Sequence, residues 1–445
     1  MRAGTSSIPL PLEIGTEMMG YGARQEPARE FHDPLHARGL FLSAEASVLL
    51  VSLEVCLIAP SQAQQVATQI AEQTGLPSEN VVVTCIHTHS GPDTGLAALL
   101  GGAEAPPHVE GILAAAVRAG VEAVQDARPA RLGVGFGRVR IGRNRRMQDG
   151  PVDDQLRVLR VDDLASGEPM AVAYLYGCHP TVLGHDNLAW SADWPWAAGA
   201  RIVDAFPGAN PIFLLTAHAD VDPRTRGLQD LAIPGQSVGE GFDAVLELGN
   251  EVGDEVVRVA RETRADRKGM IGVASDRVRL VAHTPSAELR ADALAALDLP
   301  EDAKAGIGDL FRMEAERTAQ YPQHERRERI ARVRRYLRDR TARRFAFGET
   351  PEVLLHVLQI GPLRLLAVPL EPTVDVGLAW EARVADRPAA VLSIAGGWMR
   401  YLPHPLNFDE PGADAAYEIL QSTFEPGAAE QLLALGASLD PELPA

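Results

Sequence analysis

Two imidazoles two positions apart close an apolar run in Val81-Val-Val-Thr-Cys-Ile-His-Thr-His-Ser-Gly-Pro92. In extended chain residues i and i+2 face the same side, so the rings of His87 and His89 can reach one point. His-x-His at a strand end offers nitrogen ligands to zinc, because neutral imidazole suits that ion and a strand fixes its direction. The plainer alternative leaves one His on a buried carbonyl and the other in water. Two further apolar runs end the same way. Met170 to Gly177 leads into Cys178-His179-Pro180-Thr181, and Pro211 to Thr216 leads into Ala217-His218-Ala-Asp220-Val-Asp222-Pro223. Three such endings point to a single polar site at one edge of a sheet.

The elements that would position these groups follow from the hydrophobic pattern. Ala46 to Val55 reads as a strand and Ser61 as the cap of a helix with apolar positions Ala63, Val66 and Ile70. Gly75 ends that helix and Val81 to Ile86 is the next strand, which makes a β-α-β unit with His87 and His89 beyond its carboxyl end. Residues 108 to 126 and 242 to 265 read as helices, and 131 to 141 and 155 to 162 as strands. A hairpin folds around Gly361-Pro362, and Pro369-Leu-Glu371-Pro-Thr373 opens a helix. Glycines in Met19-Gly-Tyr-Gly22 let the backbone approach something closely. Residues from about 285 to 347 are charged and helical, including an Arg-rich stretch that alternates with Glu and apolar positions as a solvated amphipathic helix does. With no internal repeat or low-complexity linker, the expectation is one α/β domain over 1–445 with helical insertions.

The chain has 445 residues, 60 acidic and 42 basic, for a net charge of -18. That excess disfavours nucleic acid or an anionic membrane as partner. No run of apolar residues reaches the length of a membrane span, and the N-terminus shows no secretory signal, so neither anchor nor export is expected. Three cysteines, Cys56, Cys85 and Cys178, fit a reducing compartment better than a disulfide framework. Cytoplasm is the expected location, a small molecule the expected partner, and the oligomeric state is open. Cys85 and Cys178 read as core residues, and Trp190, Trp194, Trp196 and Trp398 as residues near the mouth of the site.

Taken in order, His87-Thr-His-Ser-Gly-Pro, Cys178-His-Pro-Thr, Ala219-Asp-Val-Asp-Pro and Val368-Pro-Leu-Glu-Pro-Thr resemble the catalytic domain of the neutral/alkaline non-lysosomal ceramidase family. The resemblance runs from about Ala3 to about Gly436 and implies a mixed-sheet α/β fold, without the C-terminal immunoglobulin-like domain that ceramidases carry. It implies one zinc ion (Zn2+) held by two His, one Glu and one Tyr, which correspond here to His87, His179, Glu371 and Tyr401. It also implies that His89 orients or deprotonates the attacking water, that Arg145 and Tyr417 lie on the substrate side, and that Asp193 belongs to a polar loop or caps a helix.

One departure bears on the chemistry. Where the family has a Ser proposed as nucleophile, in Gly-Asp-Val-Ser-Pro, this chain has Asp222. A carboxylate would give a mixed anhydride instead of an ester, so acyl transfer through that position is not expected. Asp222 is open to three roles: general base, acceptor of a substrate hydrogen bond, or brace against Arg224 or Arg226. His218, where the family has an apolar or small residue, is an added acid/base group or a satisfied loop His. The expected function is zinc-dependent hydrolysis of an amide or related carbonyl bond in a small substrate other than ceramide. The alternatives are a zinc-dependent lyase or isomerase with Asp222 as base, and a catalytically silent binding protein.

Overall fold

The computed structural model describes every residue except 22–23, 25, 96–104, 227–239, 266–268, 283–286, 385, 411–412, 414–415, 441–442, 444–445, and 305–350 apart from 313, 322, 325, 328–330, 332–334 and 336. Its main sheet runs in the order Asn210–Leu215, Pro169–Tyr176, Gln155–Asp163, Arg128–Arg138, Arg2–Pro9, His36–Ser43, Ser47–Leu53, Val81–Cys85. The two outermost pairs are parallel and all inner pairs antiparallel. Parallel neighbours need a crossover, and the helix Pro60–Thr74 supplies one of them, as the pattern of Ala63, Val66 and Ile70 predicts. The cap differs from expectation. Ala59 is the N-cap, its N–H satisfied by the Gln62 side chain at 2.7 Å, because Pro60 takes the first turn and leaves Ser61 inside the helix.

A second sheet, Ile271–Arg279, Glu352–Ile360, Leu363–Ala367 and Ala389–Leu392, packs on the first. Leu40, Leu50, Val82 and Ile212 from one sheet meet Leu358, Leu363, Leu365 and Leu392 from the other. Alternate residues Leu49, Val51 and Leu53 face the helices His108–Gln125 and Pro60–Thr74 instead, so this strand reads as a continuous apolar run. Helices Val374–Arg383 and Ala428–Leu439 cover the outer face of the second sheet through Trp380, Leu432 and Leu433. The result is helix, sheet, sheet, helix, a mixed α/β architecture. Among the described residues none forms a separate immunoglobulin-like unit, and no helix is long and apolar enough to cross a membrane. Of the charged stretch expected at about 285–347, Ala287–Ala296 is helical as anticipated, and most of the remainder lies outside the described residues.

The main sheet coils so that its outer strands approach one another. Ser52 donates to the carbonyl of Phe213 at 2.7 Å, and Arg38 donates to Asn210 at 2.9 Å. The segment after Ala389–Leu392 then ties both ends together. Ser393 N–H donates to Leu215 O at 2.9 Å, Thr84 Oγ1 donates to Ser393 O at 2.9 Å, and Gly396 N–H donates to Val83 O at 2.7 Å. Carboxyl ends of strands from opposite edges thereby meet at one place.

His356 lies inside the second sheet, 3% exposed, between Ser275 and Ala367. Burial pushes its pKa down to about 4. The unfolded chain takes up this proton near pH 6.5 and the folded chain only near 4, so the stability contribution is complete above 6.5 and is lost as pH falls through that window. The expected loss is about 3 kcal/mol. Urea titrations of wild type and His356→Gln at pH 7 and pH 4.5 check this, since the variant should lose less on acidification; equal losses refute it.

Candidate functional site

Four polar side chains converge where these strands end. The Nε2 atoms of His87, His218 and His179 lie 3.3, 3.6 and 3.8 Å from Glu371 Oε2. The four ligand-type atoms lie within 4.8 Å of one another, and all four residues are buried. Each ring is aimed by its other nitrogen. Nδ1 of His87 donates to Cys56 O at 2.8 Å, Nδ1 of His179 to Val221 O at 3.1 Å, and Nδ1 of His218 to Thr216 O at 2.9 Å. With the proton held on Nδ1, each Nε2 turns a lone pair inward. Glu371 is fixed as well, since Trp398 Nε1 donates to its Oε1 at 2.5 Å.

Burial alone would raise Glu371, but neighbouring His87 and His218 hold its carboxyl well below the usual range. Burial and adjacent positive groups push His179 and His89 well below the usual imidazole value, and burial lowers His218 too. Burial would lower His87 as well, but the Glu371 carboxylate raises it well above the usual imidazole value, so a divalent cation entering between them would take the place of the proton that His87 shares with Glu371 and meet three imidazole nitrogens and a carboxylate. Nε2 of His179 and of His218 and Oε2 of Glu371 are buried with no hydrogen-bond partner. Such atoms are costly to bury unless a ligand satisfies them.

The approach of His87 to His89 has a different origin from the one the sequence suggests. The strand stops at Cys85, and His87 takes a left-handed φ of 70°. This bend, and not strand alternation, brings the two Nε2 atoms within 3.3 Å. Gly20 packs directly on the His89 ring, leaving no room for a Cβ, which identifies what the glycine turn approaches. Asp193, at φ 63°, caps the helix Trp194–Ala205 and accepts backbone N–H from Val182, Leu183 and Trp194.

Tyr401 stands beside Glu371 because the two are paired in a short parallel ladder, and its ring meets Tyr417 edge-on at 5.5 Å. Arg145 lies over the Tyr417 ring and donates to Asp222 at 3.3 Å and Glu418 at 2.6 Å, while its buried Nη2 has no partner. Asp222 is thus braced by Arg145 and not by Arg224, which pairs with Glu247 and Glu251 on the neighbouring helix. Asp222 Oδ1 also lies 3.7 Å from Nδ1 of His179. Trp190 and Trp194 are interior, and Trp398 supports Glu371, so none of these three lines a mouth. The sequence assigns His218 to an added acid/base group or a satisfied loop His and Trp398 to the mouth of the site, and it does not connect Cys56 or Glu418 to the site. The third strand ending in His was the available signal.

The fold and the site define an α/β protein whose buried histidines and carboxylate gather at strand ends. Residues 12–204 match the family model for neutral/alkaline non-lysosomal ceramidase, N-terminal. Among solved structures it is similar over 100% of its length to neutral ceramidase from Pseudomonas aeruginosa, with 20% identity, a TM-score of 0.70 and 75% of that chain covered. It is likewise similar over 100% of its length to a ceramidase complexed with C2, with 18% identity, a TM-score of 0.69 and 76% covered. At these identities the likeness is one of fold. No curated protein matches the sequence.

Proposed function

We propose that this protein is a zinc-dependent hydrolase that opens an amide bond in a small substrate other than ceramide, in the cytoplasm. The observation that carries this reading is the convergence of inward-facing Nε2 atoms on Glu371 Oε2, with buried donor atoms that nothing else satisfies. A divalent ion held there polarises a carbonyl and lowers the pKa of water. His89, kept neutral by burial, accepts the proton of the attacking water at its Nε2. Arg145 Nη2, a buried donor without a partner, steadies negative charge developing on the substrate oxygen. Asp222, gripped by Arg145 beside His179, orients these two groups, and its position where the family has Ser supports direct attack by water over an acyl-enzyme.

The test is turnover of a panel of N-acyl and cyclic amides by zinc-loaded protein in water labelled with heavy oxygen. One labelled oxygen in the product carboxylate, with turnover abolished by a chelator, is the expected result. Turnover without label makes the reaction an elimination or isomerisation, and a zinc-loaded protein inert across the panel sinks the hydrolase reading. Trp398→Phe should weaken zinc binding by about 10–100-fold, since it removes the hydrogen bond that orients Glu371, along with part of the buried ring that Arg400 stacks on. An unchanged zinc affinity would remove Trp398 from the site.

A further inference from the structure

We infer that His218 is the fourth metal ligand in this protein, in the position that the family resemblance gives to Tyr401, and that Tyr401 stays outside the coordination sphere. The inference rests on the metal-site reading above and concerns which residues complete it. Bonds of about 2.0–2.1 Å to an ion that keeps a fifth, open position place neighbouring ligand atoms roughly 2.9–3.6 Å apart. The contacts of Glu371 Oε2 with His87, His218 and His179, at 3.3, 3.6 and 3.8 Å, lie close to that spacing. His218 is nearer to Glu371 than His179 is, and its donor atom belongs to the same group of four that lie within 4.8 Å of one another.

The backbone makes His218 part of the same construction. Its N–H and that of Ala219 both donate to the carbonyl of Pro372, the residue after Glu371, at 3.1 and 3.0 Å. Its Nδ1 is held by Thr216 O and lies 3.2 Å from Ser393 Oγ, in the segment that joins the two outer strands. A carbonyl on Nδ1 and an inward Nε2 are what the other two rings have, and such orienting contacts accompany metal-ligating histidines. His89 lacks this arrangement, because its Nδ1 is buried without a partner. With its imidazole ligands deprotonated on Nε2 by the metal itself, one carboxylate leaves a dication with one net positive charge, and the Asp222 carboxylate, four residues after His218 and 3.7 Å from His179 Nδ1, lies where it offsets that charge.

The experiment measures zinc affinity by competition with a chelating dye, and the visible spectrum after cobalt substitution, for wild type, His218→Gln and Tyr401→Phe. Zinc affinity should fall by about 100-fold or more in His218→Gln, exceeding the usual effect of an outer-shell change. Tyr401→Phe should bind zinc as wild type does and leave the cobalt spectrum unchanged. That second arm does not depend on how well the His218 variant folds. Tight binding in His218→Gln, or lost affinity and a changed cobalt spectrum in Tyr401→Phe, overturns the exchange while wild-type binding keeps the metal-site reading intact. A wild type that binds neither ion overturns both.

Discussion

Glu371→Gln should abolish zinc binding and reduce any zinc-dependent hydrolysis to background while leaving the chain folded. The substitution preserves shape. Its amide oxygen can still accept from Trp398, as Oε1 does at 2.5 Å, and its NH2 group turns donors toward Nε2 lone pairs that otherwise have no partner. What it removes is the one anionic ligand shared by all three histidines. Free zinc at a thousand times its dissociation constant should stabilise wild type by about 4 kcal/mol and the variant not at all. Thermal melts with zinc and with chelator read the difference. A variant that gains the same zinc-dependent stability would place the ion elsewhere.

The parts of this site that were legible in the sequence are those written by local pattern. His87, His179 and Glu371 each follow an apolar run, and the ends of such runs are where an α/β sheet collects ligands. The β-α-β unit was legible for the same reason, whereas the mixed sheet followed from the family resemblance. His218 sits at a third such end, yet its role depends on the coiling that brings opposite sheet edges together, and no local pattern encodes that. The left-handed bend at His87 was equally out of reach, because only the surrounding packing holds a non-glycine residue there. Choosing Arg145 among Arg143, Arg145 and Arg146 required the ladder in which Asn144 pairs with Val221, which carries Arg145 toward Asp222 and Glu418 and sends Arg146 to Asp220.

Replacement of Arg145 by Met should cost about 3–5 kcal/mol of stability, because it leaves the buried carboxylates of Asp222 and Glu418 without this guanidinium. The sign of its pH dependence follows from Glu418, whose carboxyl burial already raises above the ordinary value against the opposing pull of Arg145. Loss of that pull raises it further. A carboxyl with a raised folded pKa holds its proton in the native state after the unfolded chain has released it, so stability falls as pH rises above the unfolded value of about 4.3. Urea midpoints of Arg145→Met should therefore drop further below wild type at pH 8 than at pH 5. Arg145→Lys should recover only part of the loss, since an ammonium keeps the charge but cannot fork between two carboxylates. Adding Glu418→Gln to Arg145→Met should restore stability and flatten the pH dependence, with a coupling of the kind expected for residues in direct contact. If the two substitutions simply add, Arg145 does not act through Glu418, and its hold on the Asp222 loop becomes the whole of its structural role.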